Sequence, residues 1–249
     1  MIAITLTISG FYSHYNKKEV IYHVTVPKTS SVSKLKICLV SDLHLSSGTY
    51  MRQVRKLVKT VNDKHYDLVC FAGDVFDENT PDALMNRSLQ EFKNMKSTYG
   101  TYWISGNHEY YGKHTDFTVF EKYNIHFLKN TYETVDNSFN IVGFTDKTSR
   151  DHYDINQVIK GMNTSLPTIT LDHNPERFDQ HTYFTDLQLS GHTHNGQIFP
   201  GNIILHYYYQ NSYGLSHYLL VSGGYGSWGF PFRLGTQCEY DTIYLTMRK

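Results

Sequence analysis

The chain has 249 residues, enough to bury a substantial core as one large domain or at most two. Its 23 Lys and Arg balance 23 Asp and Glu, so it lacks the basic footprint of a nucleic-acid binder, and no nucleic-acid partner is expected. Three widely spaced cysteines are odd in number; Cys38 and Cys70 fall inside apolar runs, which suits small buried hydrophobes better than a disulfide framework.

The opening run MIAITLTISGFY is apolar for only about half of the roughly 20 residues that a spanning helix needs. It lacks the basic start and small-residue cleavage site of a secretory signal. It reads either as an edge strand or frayed terminus, or as the remnant of a membrane anchor. The next stretch alternates at Val20, Tyr22, Val24 and Val26 like a strand, then passes into a Ser/Thr-rich connector. Residues 1–34 are therefore expected to form an N-terminal segment and connector ahead of a domain spanning 35–249.

From Leu35 the pattern is regular. LKICLVSD is an uninterrupted β-rich run, as expected of a strand covered on both faces. MRQVRKLVKTVND carries Met51, Val54, Leu57, Val58 and Val61 at a helical period. DLVCFAGDV predicts a second buried strand, and PDALMNRSLQEFKNM a second helix opened by Pro81. GTYWISGNHEYY predicts a third strand and DFTVFEKYN a shorter helix. This alternation indicates a layered α/β domain with at least partly parallel pairing. No internal repeat or shift in composition marks a second domain.

The chemistry-bearing residues fall at strand ends. The runs close on Asp42-Leu43-His44, on Gly73-Asp74, on Gly106-Asn107-His108-Glu109, on Asp172-His173 and on Gly191-His192-Thr193-His194. In open α/β sheets ligands bind at the carboxyl ends of the strands, and residues i and i+2 point the same way, so Asp42 and His44 can converge. Each fragment alone is a common turn or cap. Five together form a candidate metal cluster.

This ordered set resembles the calcineurin-like metallophosphoesterases from Lys36 to the C-terminus. The stretches LDHNP, SGHTHNGQIFPGN and GSWGFPFRLGT are similar to a bacterial branch related to membrane-associated phosphodiesterases. The resemblance implies a four-layer α/β sandwich of two mixed sheets flanked by helices. It also implies two divalent ions sharing Asp74, one completed by Asp42, His44 and His194, the other by Asn107, His173 and His192. Hydrolysis would then proceed by attack of a hydroxide bridging the ions.

Oxygen and imidazole donors together suit Mn, Fe or Zn, whereas Ca favours oxygen cages. A metal pair can clamp both the attacking and leaving oxygens of a phosphoryl displacement. His108, adjacent to Asn107 but outside the implied ligand set, is the candidate general acid, with a further ligand or an orienting hydrogen bond as the other readings. Asp172 reads as an orienter of an imidazole or a turn residue, and Glu109 as the same or as a helix cap. Trp228 and Arg233 are expected at the pocket rim, the guanidinium holding phosphate. HYYYQNSYGLSHYLL reads as an alternating hairpin.

The expected function is a binuclear phosphoesterase, acting on diesters, with a lipid-linked or sugar-nucleotide substrate and a membrane surface as further expectations. The alternative is a non-catalytic metal-binding scaffold of the same fold, which would have no use for His108.

Overall fold

The computed structural model describes residues 1–46, 51–112 and 117–248. The N-terminal run forms helix α1 (Ile2–Tyr15) rather than an edge strand. It contains no Asp, Glu, Lys or Arg, and only Gly10 and His14 are buried, leaving Ile2, Ile4, Leu6 and Ile8 exposed. No helix among the described residues is long and apolar enough to cross a membrane.

The chain then runs through β1 (Lys18–Thr29), β2 (Lys34–Val40), α2 (Met51–Lys64), β3 (Leu68–Ala72), α3 (Asp82–Phe92), β4 (Thr101–Ile104) and the short α4 (Asn107–Tyr111). All five residues placed on the inner face of the first predicted helix are buried in α2. The segment expected as a shorter helix is a 3-10 helix, Phe117–Tyr123. Next come β5 (Ile125–Phe127), β6 (Thr131–Val135), β7 (Phe139–Gly143), the one-turn α5 (Ile155–Val158), β8 (Thr168–Leu171), the one-turn α6 (Phe178–His181) and β9 (Leu187–Ser190). The chain closes with α7 (Gly201–Tyr208), β10 (Gly214–Ser216), β11 (Leu219–Val221) and β12 (Glu239–Arg248). The expected aromatic hairpin is thus only half present: β10 and β11 pair antiparallel, but His206, Tyr207 and Tyr208 lie on α7.

The strands form two mixed sheets, ordered β1-β12-β2-β3-β4-β5 and β10-β11-β9-β8-β7-β6. Successive side chains on a strand point to opposite faces, and β2 shows how this builds the layers. Ile37 and Leu39 join Cys70, Ile104, Ile141, Leu171 and Leu189 in the core between the sheets. Cys38 and Val40 face outward with Val69 and Phe71 beneath Val54, Leu57 and Leu89 of α2 and α3. A smaller cluster of Val142, Phe144, Met162 and Phe184 covers the outer face of the second sheet. The result is the four-layer α/β sandwich.

One expectation fails here. β1 pairs parallel with β12 from Lys18 opposite Glu239 to Val26 opposite Met247. The strand before residue 34 is therefore the edge of the first sheet, not a connector outside the domain. The three cysteines are free and buried, Cys38 and Cys70 as their apolar runs suggest.

Candidate metal centre

β2, β3 and β4 of the first sheet and β8 and β9 of the second all end at the same edge of the sandwich. Parallel hydrogen bonding continues past the strands: Asp42 N donates to Gly73 O (3.0 Å), His44 N to Asp74 O (3.1 Å) and Leu45 N to Val75 O (3.0 Å). The convergence of Asp42 and His44 does not arise from strand alternation, because both lie beyond β2 in the left-handed region, with φ of 53° and 49°. Asp74 (52°), His192 (73°) and His194 (51°) share that conformation. Non-glycine residues rarely adopt it, and such strain concentrates at functional sites where surrounding structure enforces it.

Glycines make the crowding possible. A Cβ on Gly191 would stand 2.3 Å from Asp42 Oδ2, and one on Gly106 would stand 2.2 Å from Asp74 Oδ1. Only a residue without a side chain permits that approach.

Two overlapping groups of donor atoms result. In the first, His44 Nε2 lies 3.0 Å from His194 Nε2, 3.9 Å from Asp42 Oδ1 and 4.0 Å from Asp74 Oδ2. His194 Nε2 is 3.3 Å from Asp42 Oδ1. In the second, His173 Nε2 is 3.1 Å from Asp74 Oδ2 and 3.2 Å from Asn107 Oδ1, which is 2.9 Å from His192 Nδ1. Asp74 Oδ2 is common to both. The other oxygen, Oδ1, accepts the His108 backbone N–H at 2.8 Å, and both oxygens of Asp42 accept that of His192 at 3.1 Å.

Hydrogen bonding decides whether cations fit these groups. His173 Nδ1 donates to Ala72 O at 2.7 Å, and a carbonyl can only accept. Nε2 of the neutral ring is then a bare lone pair aimed at two oxygens. Three lone-pair groups converge, an arrangement that a shared cation satisfies and that, without one, calls for a proton on Nε2. Burial by itself disfavours a charged His173, yet adjacent Asp74 holds its pKa well above the ordinary histidine range. Burial likewise opposes the charge on Asp74, but His173, with His44 and His108 beyond it, holds that carboxyl well below the usual range. Burial, with His44 and Arg233 beside it, pushes His194 the other way, toward the unprotonated ring a metal requires. A mixed set of carboxylate, carboxamide and imidazole donors fits divalent transition metals.

The polar residues around this set have clear partners. Asp77 Oδ1 accepts from His44 Nδ1 at 2.6 Å, leaving Nε2 to face the centre. Glu78 Oε2 accepts from His108 Nδ1 at 2.9 Å. Neither acid was singled out in the sequence; their spacing three and four residues after Asp74 was the available signal. Glu109 caps α4 and also binds the β3 loop, accepting N–H groups from Asp74, Val75, Phe76 and Gly106 at 2.7–3.0 Å. Burial and neighbouring Asp74 push its carboxyl up to about 7, against those hydrogen bonds.

Two expectations are corrected. Asp172 does not orient His173: its two oxygens take the Arg177 guanidinium at 2.6 and 3.0 Å. Arg233 is not at the rim. It is fully buried, donating to His194 O, Gly226 O and Ser227 Oγ at 2.8, 2.7 and 3.3 Å. Trp228, by contrast, is 57% exposed and lines a cavity of about 830 Å³ with Asp74, Asn107, His108, His192 and His194. Ile198, Ile204, Leu205 and Tyr209 add apolar lining to the same cavity.

Residues 35–196 match the family described as Calcineurin-like phosphoesterase. The chain is 36% identical over 226 residues to a metallophosphoesterase of Helicobacter pylori, covering 85% of this chain and 60% of that protein. It is 30% identical over 242 residues to a metallophosphoesterase of Aquifex aeolicus, covering 90% and 91%. A Bos taurus protein named transmembrane protein with metallophosphoesterase domain is 29% identical over 240 residues, covering 86% and 54%.

Proposed function

The chain belongs to the calcineurin-like phosphoesterases, metal-dependent phosphoric ester hydrolases, and from that premise we propose that it is a two-metal phosphodiesterase acting on an amphipathic, lipid-linked phosphoester. The observation that carries the two-metal reading is Asp74 Oδ2 standing between two sets of imidazole and oxygen donors. Asp42, His44, Asp74 and His194 would hold one ion, and Asp74, Asn107, His173 and His192 the other, as Mn, Fe or Zn. Such ions would supply Lewis acidity toward a phosphoryl oxygen and toward the attacking water.

The chain's own groups do the rest. His108 lines the cavity, and Glu78 accepts from its Nδ1. That bond orients the ring, so its other nitrogen can pass a proton to the departing alkoxide. Asp77 keeps His44 in the tautomer that presents Nε2. Asn107 contributes a neutral oxygen, which limits negative charge where an anionic ester must enter.

The substrate class rests on surface chemistry. The cavity is lined both by the polar donors and by apolar Ile198, Ile204, Leu205 and Tyr209. Exposed apolar side chains continue from it. Gln197 Nε2 donates to Trp228 O at 3.0 Å, and Phe230 of the same loop packs edge-on against Phe11 of α1 at 5.6 Å. Ile203, Tyr207 and Tyr208 of α7 and Ile2, Ile4 and Ile8 of α1 are exposed as well. Helix α1 carries no Asp, Glu, Lys or Arg and exposes isoleucines that hydrocarbon would satisfy, and aromatic residues favour the water–lipid boundary. An interfacial position for α1 would present the cavity to lipid-borne esters. The bovine relative's name, transmembrane protein with metallophosphoesterase domain, accords with this placement.

The direct test is hydrolysis of bis-(p-nitrophenyl) phosphate beside p-nitrophenyl phosphate, with Mn2+ added and with chelator. Metal-dependent turnover of the diester in excess of the monoester is expected. Preference for the monoester would overturn the diesterase reading, and turnover undiminished by exhaustive chelation would overturn the metal mechanism.

A further inference from the structure

Arg233 is a buried cation whose partners are carbonyl and hydroxyl oxygens rather than a carboxylate. Such burial is costly unless each donor is satisfied. Here the fork is spent around one residue of the centre: Nη1 donates to His194 O at 2.8 Å, while Nη2 donates to Gly226 O at 2.7 Å and lies 3.1 Å from His194 Nδ1. His194 has φ of 51°, so something must hold it there. The Gly226 carbonyl at the other end of the fork belongs to a residue whose N–H donates to Asp42 O at 2.7 Å. The guanidinium therefore ties the loops of His194 and Asp42 together.

Arg233 is itself seated by α1. Its backbone N–H donates to Gly10 O at 3.0 Å. Its Nε donates to Ser227 Oγ at 3.3 Å, and that hydroxyl lies 2.9 Å from Nδ1 of buried His14. Gly10 abuts Phe232, where an added Cβ would stand 2.0 Å from the ring, and Phe11 packs on Phe232 at 5.7 Å.

We infer that Arg233 is the positioning residue for the half of the centre built on His194 and Asp42, and that α1 is the element that sets its position. The N-terminal helix then serves the metal centre as well as the surface: a shift of α1 is felt at His194 through two contacts. The half built on Asn107, His173 and His192 is linked less directly: His173 is oriented by Ala72 O in β3, and His192 meets the tied loops through its backbone N–H to Asp42.

The inference rests on reading His194 as a metal ligand, and calorimetric titration of the metal-free 249-residue chain with Mn2+ separates the two. The native chain should bind in two steps. Arg233→Met should weaken one step about 10–100-fold, the usual effect of losing a group that orients a ligand, and leave the other unchanged. Arg233→Lys should not restore it, because an ammonium lacks the planar fork that reaches both carbonyls. Ser227→Ala and Gly10→Val, which disturb the seat rather than the fork, should weaken the same step by smaller factors. Ser227→Ala also serves if Arg233→Met does not fold. An unchanged isotherm in Ser227→Ala and Gly10→Val, or equal weakening of both steps in any variant, would overturn the inference. His194→Ala is the control: retention of both steps there would overturn the ligand reading, whereas loss of one step in His194→Ala with none in Arg233→Met would overturn only the role of Arg233.

Discussion

His44 Nε2 and His194 Nε2 approach to 3.0 Å although 150 residues separate them in the chain. Each ring is constrained from its far side, His44 by Asp77 Oδ1 at 2.6 Å and His194 by the Arg233 fork. Two imidazoles held nitrogen to nitrogen with two carboxylates alongside are arranged for a cation between them.

Asp74 is the shared group, so its loss should cost both halves of the centre. Elemental analysis of Asp74→Ala should find metal content far below that of the native chain, which is expected to carry close to two ions. Full metal content in the variant would show that Asp74 does not bridge.

Removing the proton donor should separate chemistry from binding. His108→Ala should keep its metals while turnover falls by about 10²–10⁴. The deficit should shrink on p-nitrophenyl esters, whose leaving group needs little protonation. A loss of equal size on activated and unactivated esters would assign His108 to substrate positioning.

Asp77 acts through His44. Asp77→Ala should lower Mn2+ affinity about 10–100-fold, whereas Asp77→Asn, which still offers an oxygen to Nδ1, should lose less. Equal losses in the two variants would mean that charge, not the orientation of His44, is what Asp77 contributes.

A pH effect is expected away from the metals. Asp241 is fully buried between the sheets, and neither of its oxygens has a partner in good hydrogen-bond geometry. Burial, and then the charge of Glu239, push its carboxyl well above 3.8. The folded chain thus keeps a proton that the unfolded chain releases above about pH 4, so this group's contribution is present below that pH and is lost as pH rises toward the folded value. The slope is up to about 1.4 kcal/mol per pH unit for one proton. Urea unfolding of the metal-free chain between pH 5 and pH 8, at roughly unit steps, should show a shallower decline for Asp241→Asn than for the native chain. Parallel curves would remove Asp241 from the account.

The lipid reading has its own test. Hydrolysis of a lipid-linked phosphodiester should exceed that of a soluble nucleotide diester at equal concentration, and Trp228→Ala should narrow the gap with metal content intact. Comparable native rates, with no co-sedimentation of the chain with liposomes, would leave a phosphodiesterase of soluble substrates.

Much of this was local and therefore legible in the sequence. Uninterrupted β-rich apolar runs and period-3.6 burial are written into neighbouring residues, so β2, β3, α2 and α3 could be placed, as could the polar residues closing each strand. The N-terminal run was not legible, since an uncharged apolar stretch carries no period to separate helix from strand. The role of Arg233 was not legible either. An arginine in a glycine-rich loop reads as a solvent-facing phosphate clamp, and only the seating of that loop against α1 turned it inward onto His194.

The sequence by itself determined which residue types stand at the strand ends, because strand periodicity and donor chemistry are properties of short segments. Tertiary structure alone decided which atoms meet: Asp74 between His44 and His173, Asp77 behind His44, and α1 behind Arg233. Those contacts depend on parallel strands from two sheets ending at one edge and on left-handed turns that glycine neighbours leave room for, and neither is encoded within a single segment.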